Sequence, residues 1–255
     1  MRPVLPYGIL ANLGQWLSRY AHEPDFEVFD WLAETRALVL DVGASRGQSA
    51  LSVLRRTGRM RVFSVEPNRK HRWSLLLILI LHPLRYRFRL VGAGETPANM
   101  ILHVPGRRAS GLSAQGSLDP AEFRKGYVRE RLAESGFDAE DETAYRHVKV
   151  RVLALDSLGL KPDLIKLDVE GFEQQALKGL ENTLRRHLPA ILIEINNIKR
   201  WLPILKALGY TFYHYDEECK TLRNANDPPG VLNLFCLHRQ SDSIINCVLL
   251  ENVNK

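Results

Sequence analysis

Val39-Leu40-Asp41-Val42-Gly43-Ala44-Ser45-Arg46-Gly47 is the stretch that decides the fold. An apolar run over 37–42 stops at an acid and a glycine, and a second glycine falls just before a helical pattern resumes. A short, continuously apolar run reads as a strand buried on both faces. The glycines accept backbone angles closed to other residues and let a ligand approach the main chain.

Working outward, 49–56 has helical spacing, 61–66 is a second short strand closed by Pro67, and 68–81 suits a helix that Pro83 ends. A third strand over 86–91 leads to a loop at 92–94. Strand–helix–strand–helix–strand order predicts an α/β fold, a Rossmann-like, doubly wound and mostly parallel sheet covered on both faces. Right-handed crossovers bring the strand ends to one edge, where open α/β sheets form a crevice. Further on, 100–104 suits a strand, 148–152 alternates like an edge strand, and 164–169 and 190–195 read as central strands. Residues 173–184 and 201–208 are helical, and 210–215 with 231–237 form a final antiparallel pair of one long open sheet. The domain is expected over 37–240. Residues 1–36 are a helical lead-in, with Leu10, Leu13, Leu17 and Tyr20 followed by Phe26, Phe29 and Leu32, and 241–255 a peripheral tail. Residues 105–147 are too long for pure loop and are read as a substrate-side insertion with some helix over 122–135.

Composition bounds the partners. With 255 residues, 45% of them apolar and 25% charged, the chain suits one large core. Thirty-five Lys plus Arg against 29 Asp plus Glu give a formal charge of +6, an excess that favours anionic ligands or a membrane surface. Trp16, Trp31, Trp73 and Trp201 are scattered and build no stacking platform, so no specific nucleic acid is expected. Cys219, Cys236 and Cys247 lack paired spacing, and the proline-broken start lacks a signal-peptide pattern, which together predict a cytoplasmic protein. The apolar run 75–81 is too short for a hydrocarbon layer roughly 30 Å thick. It reads as a buried helix side, with peripheral contact at the inner membrane surface as the alternative.

The loop spacing is Asp-x-Gly-x-x-x-Gly, unlike the Gly-x-Gly-x-x-Gly of dinucleotide folds, and it lacks the Gly-Lys-Ser/Thr end of a phosphate loop. A phosphate-free nucleoside, S-adenosylmethionine, fits better. Asp41 is the expected acceptor for its ammonium head, and Glu66, nineteen residues after Gly47, for the two ribose hydroxyls. A nicotinamide-dependent oxidoreductase is the competing enzyme, and a noncatalytic interaction module retaining the fold the other alternative.

Lys166, Asp168 and Glu170 are spaced by two and face one way while the chain stays extended. Glu194 ends the next strand. Asp168 is the candidate for orienting or deprotonating a methyl acceptor, with Lys166 supporting its charge and Glu170 and Glu194 orienting substrate. The plainer reading is a Lys166–Asp168 ion pair with Glu170 capping a helix. The three carboxylates also suit a hard divalent cation, whereas no spacing suggests zinc. His103, Ser110 and His214 rank lower, and Asn233 either meets the substrate edge or satisfies a local hydrogen bond.

From about Val39 to Leu237 the chain resembles the FkbM-type family of S-adenosylmethionine-dependent methyltransferases. The loop 39–47, Val65-Glu66-Pro67, Leu155-Asp156-Ser157-Leu158 and Ile191-Leu192-Ile193-Glu194-Ile195 all resemble family segments. Lys166-Leu167-Asp168-Val169-Glu170-Gly171-Phe172-Glu173 is the most distinctive. Ser45 stands where the family commonly has Asn, and Ala109-Ser110-Gly111-Leu112 loosely resembles its serine-bearing segment. The resemblance implies a Rossmann-like sheet with an antiparallel final strand and O-methylation of a hydroxyl on a small molecule, saccharide or lipid-linked glycan. The expected cofactor set is Asp41, Gly43, Ala44, Ser45, Gly47, Glu66, Pro67 and Ala93.

Overall fold

Strand β1 (Leu38–Val42), buried along almost all of its length, lies inside an eight-stranded sheet. It pairs in parallel with β2 (Arg61–Val65) on one side and β7 (Leu164–Leu167) on the other. Outside β2 runs β3 (Tyr86–Arg89), and outside β7 runs β8 (Ala190–Glu194), both parallel to their neighbours. With β9 (Thr211–Asp216), β10 (Thr221–Asn224) and β11 (Asn233–Leu237), the order is β10-β9-β11-β8-β7-β1-β2-β3. β11 is antiparallel to both β8 and β9. Connections leave β1 in opposite directions, so the carboxyl ends of β1 and β7 open a crevice. The computed structural model describes residues 23–105, 116–124, 129–130, 133–134, 145–225 and 231–253.

Neighbouring residues of β1 feed two cores, as a central strand requires. Val39 packs with Phe26 and Phe29 of a 3-10 turn (Pro24–Asp30) and with Leu51 and Leu54 of α1 (Gln48–Arg56). Leu75 and Ile78 of α2 (Arg72–Leu81) belong to the same cluster. Leu40 and Val42 face the other side, with Leu177 of α3 (Glu173–Lys178), Leu184 of α4 (Glu181–His187), and Trp201 and Leu205 of α5 (Ile198–Ala207).

The expected single sheet is two sheets. β4 (Gly92–Ala93), where a loop was expected, pairs with β6 (Tyr145–Leu153), which also pairs with β5 (Ala98–Pro105). β5 and β6 carry many exposed positions and bury Leu102, Val104, Val150 and Val152 in a small third cluster with Phe172. Strands wet on one face do not fit inside a sheet covered on both.

Residues 241–253, part of the expected peripheral tail, are built into the domain. Ser243 precedes α6 (Ile244–Glu251), which buries Ile245, Asn246 and Leu249 against the first core. The helix expected over 173–184 is broken at Gly179, where an added Cβ would lie 2.0 Å from the Gly94 carbonyl oxygen, so the chain can pass only as glycine. The expected pair 210–215 and 231–237 is present as β9 and β11, and β10 is an extra edge strand made by a hairpin with β9. Within 105–147, Pro120–Arg124 is a 3-10 turn and 129–130 and 133–134 are helical. The rest of the 105–147 insertion, Ser110 included, and Leu10, Leu13, Leu17 and Tyr20 lie outside the described residues. Among the described residues, no helix is long and apolar enough to cross a membrane.

Candidate active site

The crevice at the ends of β1 and β7 holds a cavity of about 280 Å³. Its floor is the loop after β1. Gly43 and Gly47 have φ of +83° and +88°, and the Gly43 and Ala44 amides donate to the Val65 carbonyl at 2.9 and 3.1 Å. The loop thereby bends over the end of β2 and delivers Ser45 to Glu66.

Glu66 is the hinge of this half of the site. Its Oε2 accepts from the Ser45 amide at 2.7 Å and its Oε1 from the Asn68 amide at 2.6 Å. Burial pushes its carboxyl up to about 8, against the lowering effect of those two amides. Each oxygen keeps a further lone pair for a ligand hydroxyl. Ser45 Oγ and Asn68 Nδ2 are buried without a hydrogen-bond partner among the described residues. Buried polar atoms normally are partnered, so these two call for polar ligand groups beside Glu66. Val65, Val91, Leu102 and Leu118 supply apolar wall. A ribose against Glu66 and a flat base against the apolar wall suit this chemistry.

The second half is acidic. Lys166 Nζ donates to Asp168 Oδ2 at 2.8 Å and to the Gly43 carbonyl at 3.4 Å, tying β7 to the glycine loop. Burial lowers the Lys166 pKa, but Asp168 and Asp41 outweigh it and hold the ammonium charged. Glu194 hydrogen-bonds Asp168, and its Oε2 accepts from Asn196 Nδ2 at 2.6 Å. Burial, then the neighbouring Asp168 and Glu170, pushes the Glu194 carboxyl well up. Glu170 rises to about 8 by burial and the charges of Asp168 and Glu173. Two adjacent carboxyls that hydrogen-bond each other share a proton, with Glu194 the donor.

Of the expected residues, Gly43, Ser45, Glu66, Pro67, Ala93, Asp168, Glu170 and Glu194 line the cavity. Asp41, Ala44, Gly47 and Lys166 do not. Asp41 is 1% exposed and accepts from Ser64 Oγ at 2.7 Å, because its position on β1 points to the α1–α2 side while Val42 faces the cavity. It supports the loop electrostatically through Lys166. Ala44 and Gly47 shape the turn, whose closing bond runs from the Gly47 amide to the Ala44 carbonyl at 2.7 Å. Glu170 does not continue the extended chain, since its φ is +51°. Nor does it cap a helix. Glu173 Oε1 accepts from the Gly171 and Val169 amides at 3.0 and 3.4 Å and secures the turn instead.

Other lining residues are Glu23, Gln48, Asn68, Gly92, Gly116, Leu118 and Val169. Asn68, two residues past Glu66, was within reach of sequence reasoning. Glu23 carried no local signal. Asn233 Nδ2 donates to Glu23 and Asp25 at 2.8 and 2.9 Å, so it fastens the lead-in across the cavity edge. From the insertion, Ser117 Oγ donates to the Glu170 carbonyl at 2.6 Å, and Asn197 Nδ2 donates to Glu122 Oε1 at 2.5 Å. His103 packs edge-on against His147, and neither His103 nor His214 lines the cavity. Among the described residues, no group of three or more His, Cys, Asp or Glu side chains is arranged to hold a metal ion, Asp168, Glu170 and Glu194 included.

A family model described as the methyltransferase FkbM domain matches residues 41–212, which takes in the glycine loop and the acidic edge and ends at the start of β9. The chain belongs to the FkbM methyltransferase family. Among solved structures, it is similar to a methyltransferase FkbM from Methylobacillus flagellatus, at 18% identity and a TM-score of 0.50. That alignment covers 79% of this chain and 43% of the other, so this chain spans under half the length of that relative. A putative O-methyltransferase from Klebsiella pneumoniae aligns over 92% of this chain and 89% of its own, at 14% identity and a TM-score of 0.45. At these identities the likeness to solved structures concerns the fold. A search of the curated proteins returns no significant match.

Proposed function

We propose that this FkbM-family methyltransferase uses S-adenosylmethionine to methylate a hydroxyl of a small molecule, saccharide or lipid-linked glycan. The observation that carries the reading is that Asp168 and Glu194, with Lys166 behind Asp168, line the same cavity as Ser45, Glu66 and Asn68. The first group handles an acceptor proton and the second binds a nucleoside diol. The cofactor, when bound, supplies an electrophilic methyl group.

The chain's own residues do the rest. Glu66 accepts the ribose hydroxyls, Ser45 Oγ and Asn68 Nδ2 serve the remaining polar atoms beside it, and the carboxylates turned to the cavity attract a cationic cofactor head. Asp168 accepts the proton of the acceptor hydroxyl as the oxygen becomes nucleophilic, while Lys166 stabilises the developing negative charge. Glu194, as a neutral acid, donates to Asp168 and fixes the oxygen that faces substrate.

Glu23, Glu66, Asp168, Glu170 and Glu194 line the cavity, and among the described residues no Lys or Arg does. With no cation on the described lining and the Lys166 ammonium already paired with Asp168, a phosphate or carboxylate beside the reacting atom would have no counter-charge, which supports a neutral polyol. Calorimetry with S-adenosylmethionine and S-adenosylhomocysteine tests the cofactor, and screening acceptors with methyl-labelled cofactor and mass analysis tests the reaction. Absence of binding by the folded protein overturns the proposal.

A further inference from the structure

We propose that the outward face of α2 docks the protein on an anionic lipid surface. The inference rests on surface chemistry and is independent of the reaction assigned to the cavity.

α2 is apolar on two opposite sides. Its inner side buries Leu75 and Ile78 in the first core. At a helical turn of about 100° per residue, Trp73, Leu77 and Ile80 project together on the opposite side. Trp73 is 55% exposed and Ile80 66%, and just beyond the helix Leu84 is 87% exposed. A helix lying over a sheet normally turns a polar face outward, and an apolar face there marks a contact. Of the large hydrophobic residues exposed anywhere in the described residues, Trp73, Ile80, Leu81 and Leu84 fall in this one segment, whereas Ile101, Leu232 and Ile244 are scattered.

Charge identifies the occupant. Residues 67–94 contain Arg69, Lys70, Arg72, Arg85, Arg87 and Arg89 and no Asp or Glu. Arg69, Lys70 and Arg72 are exposed at the start of α2, whereas Arg87 and Arg89 alternate on β3 with Tyr86 and Phe88, which pack in the first core, and so project from the other face of that edge strand. The Arg72 guanidinium lies 5.4 Å from the centre of the Trp73 ring. An aliphatic stripe with a tryptophan, bordered by cations, is the pattern of a helix lying in the headgroup region of an anionic bilayer. A second copy of this chain would set these cations against each other, and the aliphatic centre offers no hydrogen bonds to nucleotide bases. The chain passes directly from Pro67 and Asn68, which line the cavity, to Arg69, so docking would set the cavity mouth near the lipid surface.

The test is co-sedimentation of the full chain with vesicles of phosphatidylcholine alone and of equimolar phosphatidylcholine and phosphatidylglycerol. Binding to the anionic vesicles, weakened by salt and accompanied by a blue shift of tryptophan emission, is expected. Trp73→Ala with Leu84→Ser should lower partitioning about tenfold or more and remove the shift. Arg69→Ala with Arg72→Ala should lower binding to the anionic vesicles selectively. All four side chains are outside the core, and unchanged thermal midpoints verify folding. Equal binding of wild type to both vesicles, or of the variants and wild type to the anionic ones, overturns the proposal. So does loss of self-association or RNA binding in the variants without any vesicle binding by wild type.

Discussion

A methyl group placed on Gly43 would lie 1.6 Å from the backbone carbonyl oxygen of Asp168. The glycine loop and the acidic edge therefore touch through main chain, and Lys166 bridges them again by reaching both Asp168 and the Gly43 carbonyl. Gly43→Ala must strain a φ of +83° and separate two central strands. The expected cost is about 2–5 kcal/mol, read as a lower urea midpoint, with loss of cofactor binding in whatever remains folded. A variant as stable as wild type would show that the loop does not need this contact.

Asp168→Asn keeps the shape of the side chain and removes its capacity to take a proton. Turnover on the authentic acceptor should fall about 10²–10⁴-fold, while S-adenosylhomocysteine affinity changes less than about tenfold. Unchanged turnover eliminates Asp168 as base or orienter.

Glu194 separates a neutral acid from a carboxylate. Burial and the neighbouring Asp168 and Glu170 raise its pKa well above the ordinary carboxyl value, which favours the protonated form that donates to Asp168. Glu194→Gln preserves a donor and should retain turnover within about tenfold, whereas Glu194→Ala should lose about 10²-fold. Wild-type turnover should decline at alkaline pH as Glu194 ionises, a limb that Glu194→Gln lacks. If Gln and Ala variants fail alike, the proton on Glu194 is irrelevant.

The free-enzyme pKa of Glu66, pushed up to about 8, couples cofactor binding to protons. Ribose hydroxyls donate to the ionised form, so the bound pKa is lower than the free one. Affinity should therefore rise with pH, by at most about tenfold per unit, and level off above about 8. Calorimetry of S-adenosylhomocysteine across that range reads the slope directly. Glu66→Gln should bind about 10–100-fold more weakly and lose this part of the slope. The same raised pKa makes the unliganded fold lose stability as pH rises through 4.5 to about 8, because the folded state holds the proton more tightly than the unfolded chain.

Asn246, fully buried on α6, accepts from the His238 amide at 2.9 Å and donates to the His238 carbonyl at 2.6 Å. Asn246→Ala leaves the His238 amide unpaired, while the His238 carbonyl keeps the Ser241 amide at 3.1 Å. A destabilisation of about 1–3 kcal/mol in chemical unfolding is expected. A negligible change would mean that the helix is dispensable to the domain.

The parallel core was legible because burial on both faces leaves continuous apolar runs, and β1, β7 and β8 each show one. The glycine loop was legible because its turn demands glycine at fixed places in the chain. The second sheet was obscured by its own alternation: β5 and β6 read as edge strands, which says nothing about which sheet they edge. α6 was missed because Ile245 and Leu249 make a short pattern that resembles an ordinary tail until a core is present to receive it. Asp41 shows the sharpest limit. Its place at the end of β1 is read directly from sequence, but the alternation that turns Val42 to the cavity turns Asp41 away from it.

By itself the sequence determined the family, the α/β class, the glycine loop and which acids stand at strand ends, since all of these are consequences of local pattern and spacing. Only the tertiary structure decided which acids share the cavity, that Glu66 is gripped by the Ser45 and Asn68 amides, that Glu194 leans on Asp168, and that Glu173 rather than Glu170 holds the turn. Those relations depend on strand register and burial, which bring residues far apart in the chain within hydrogen-bonding distance and set their charge.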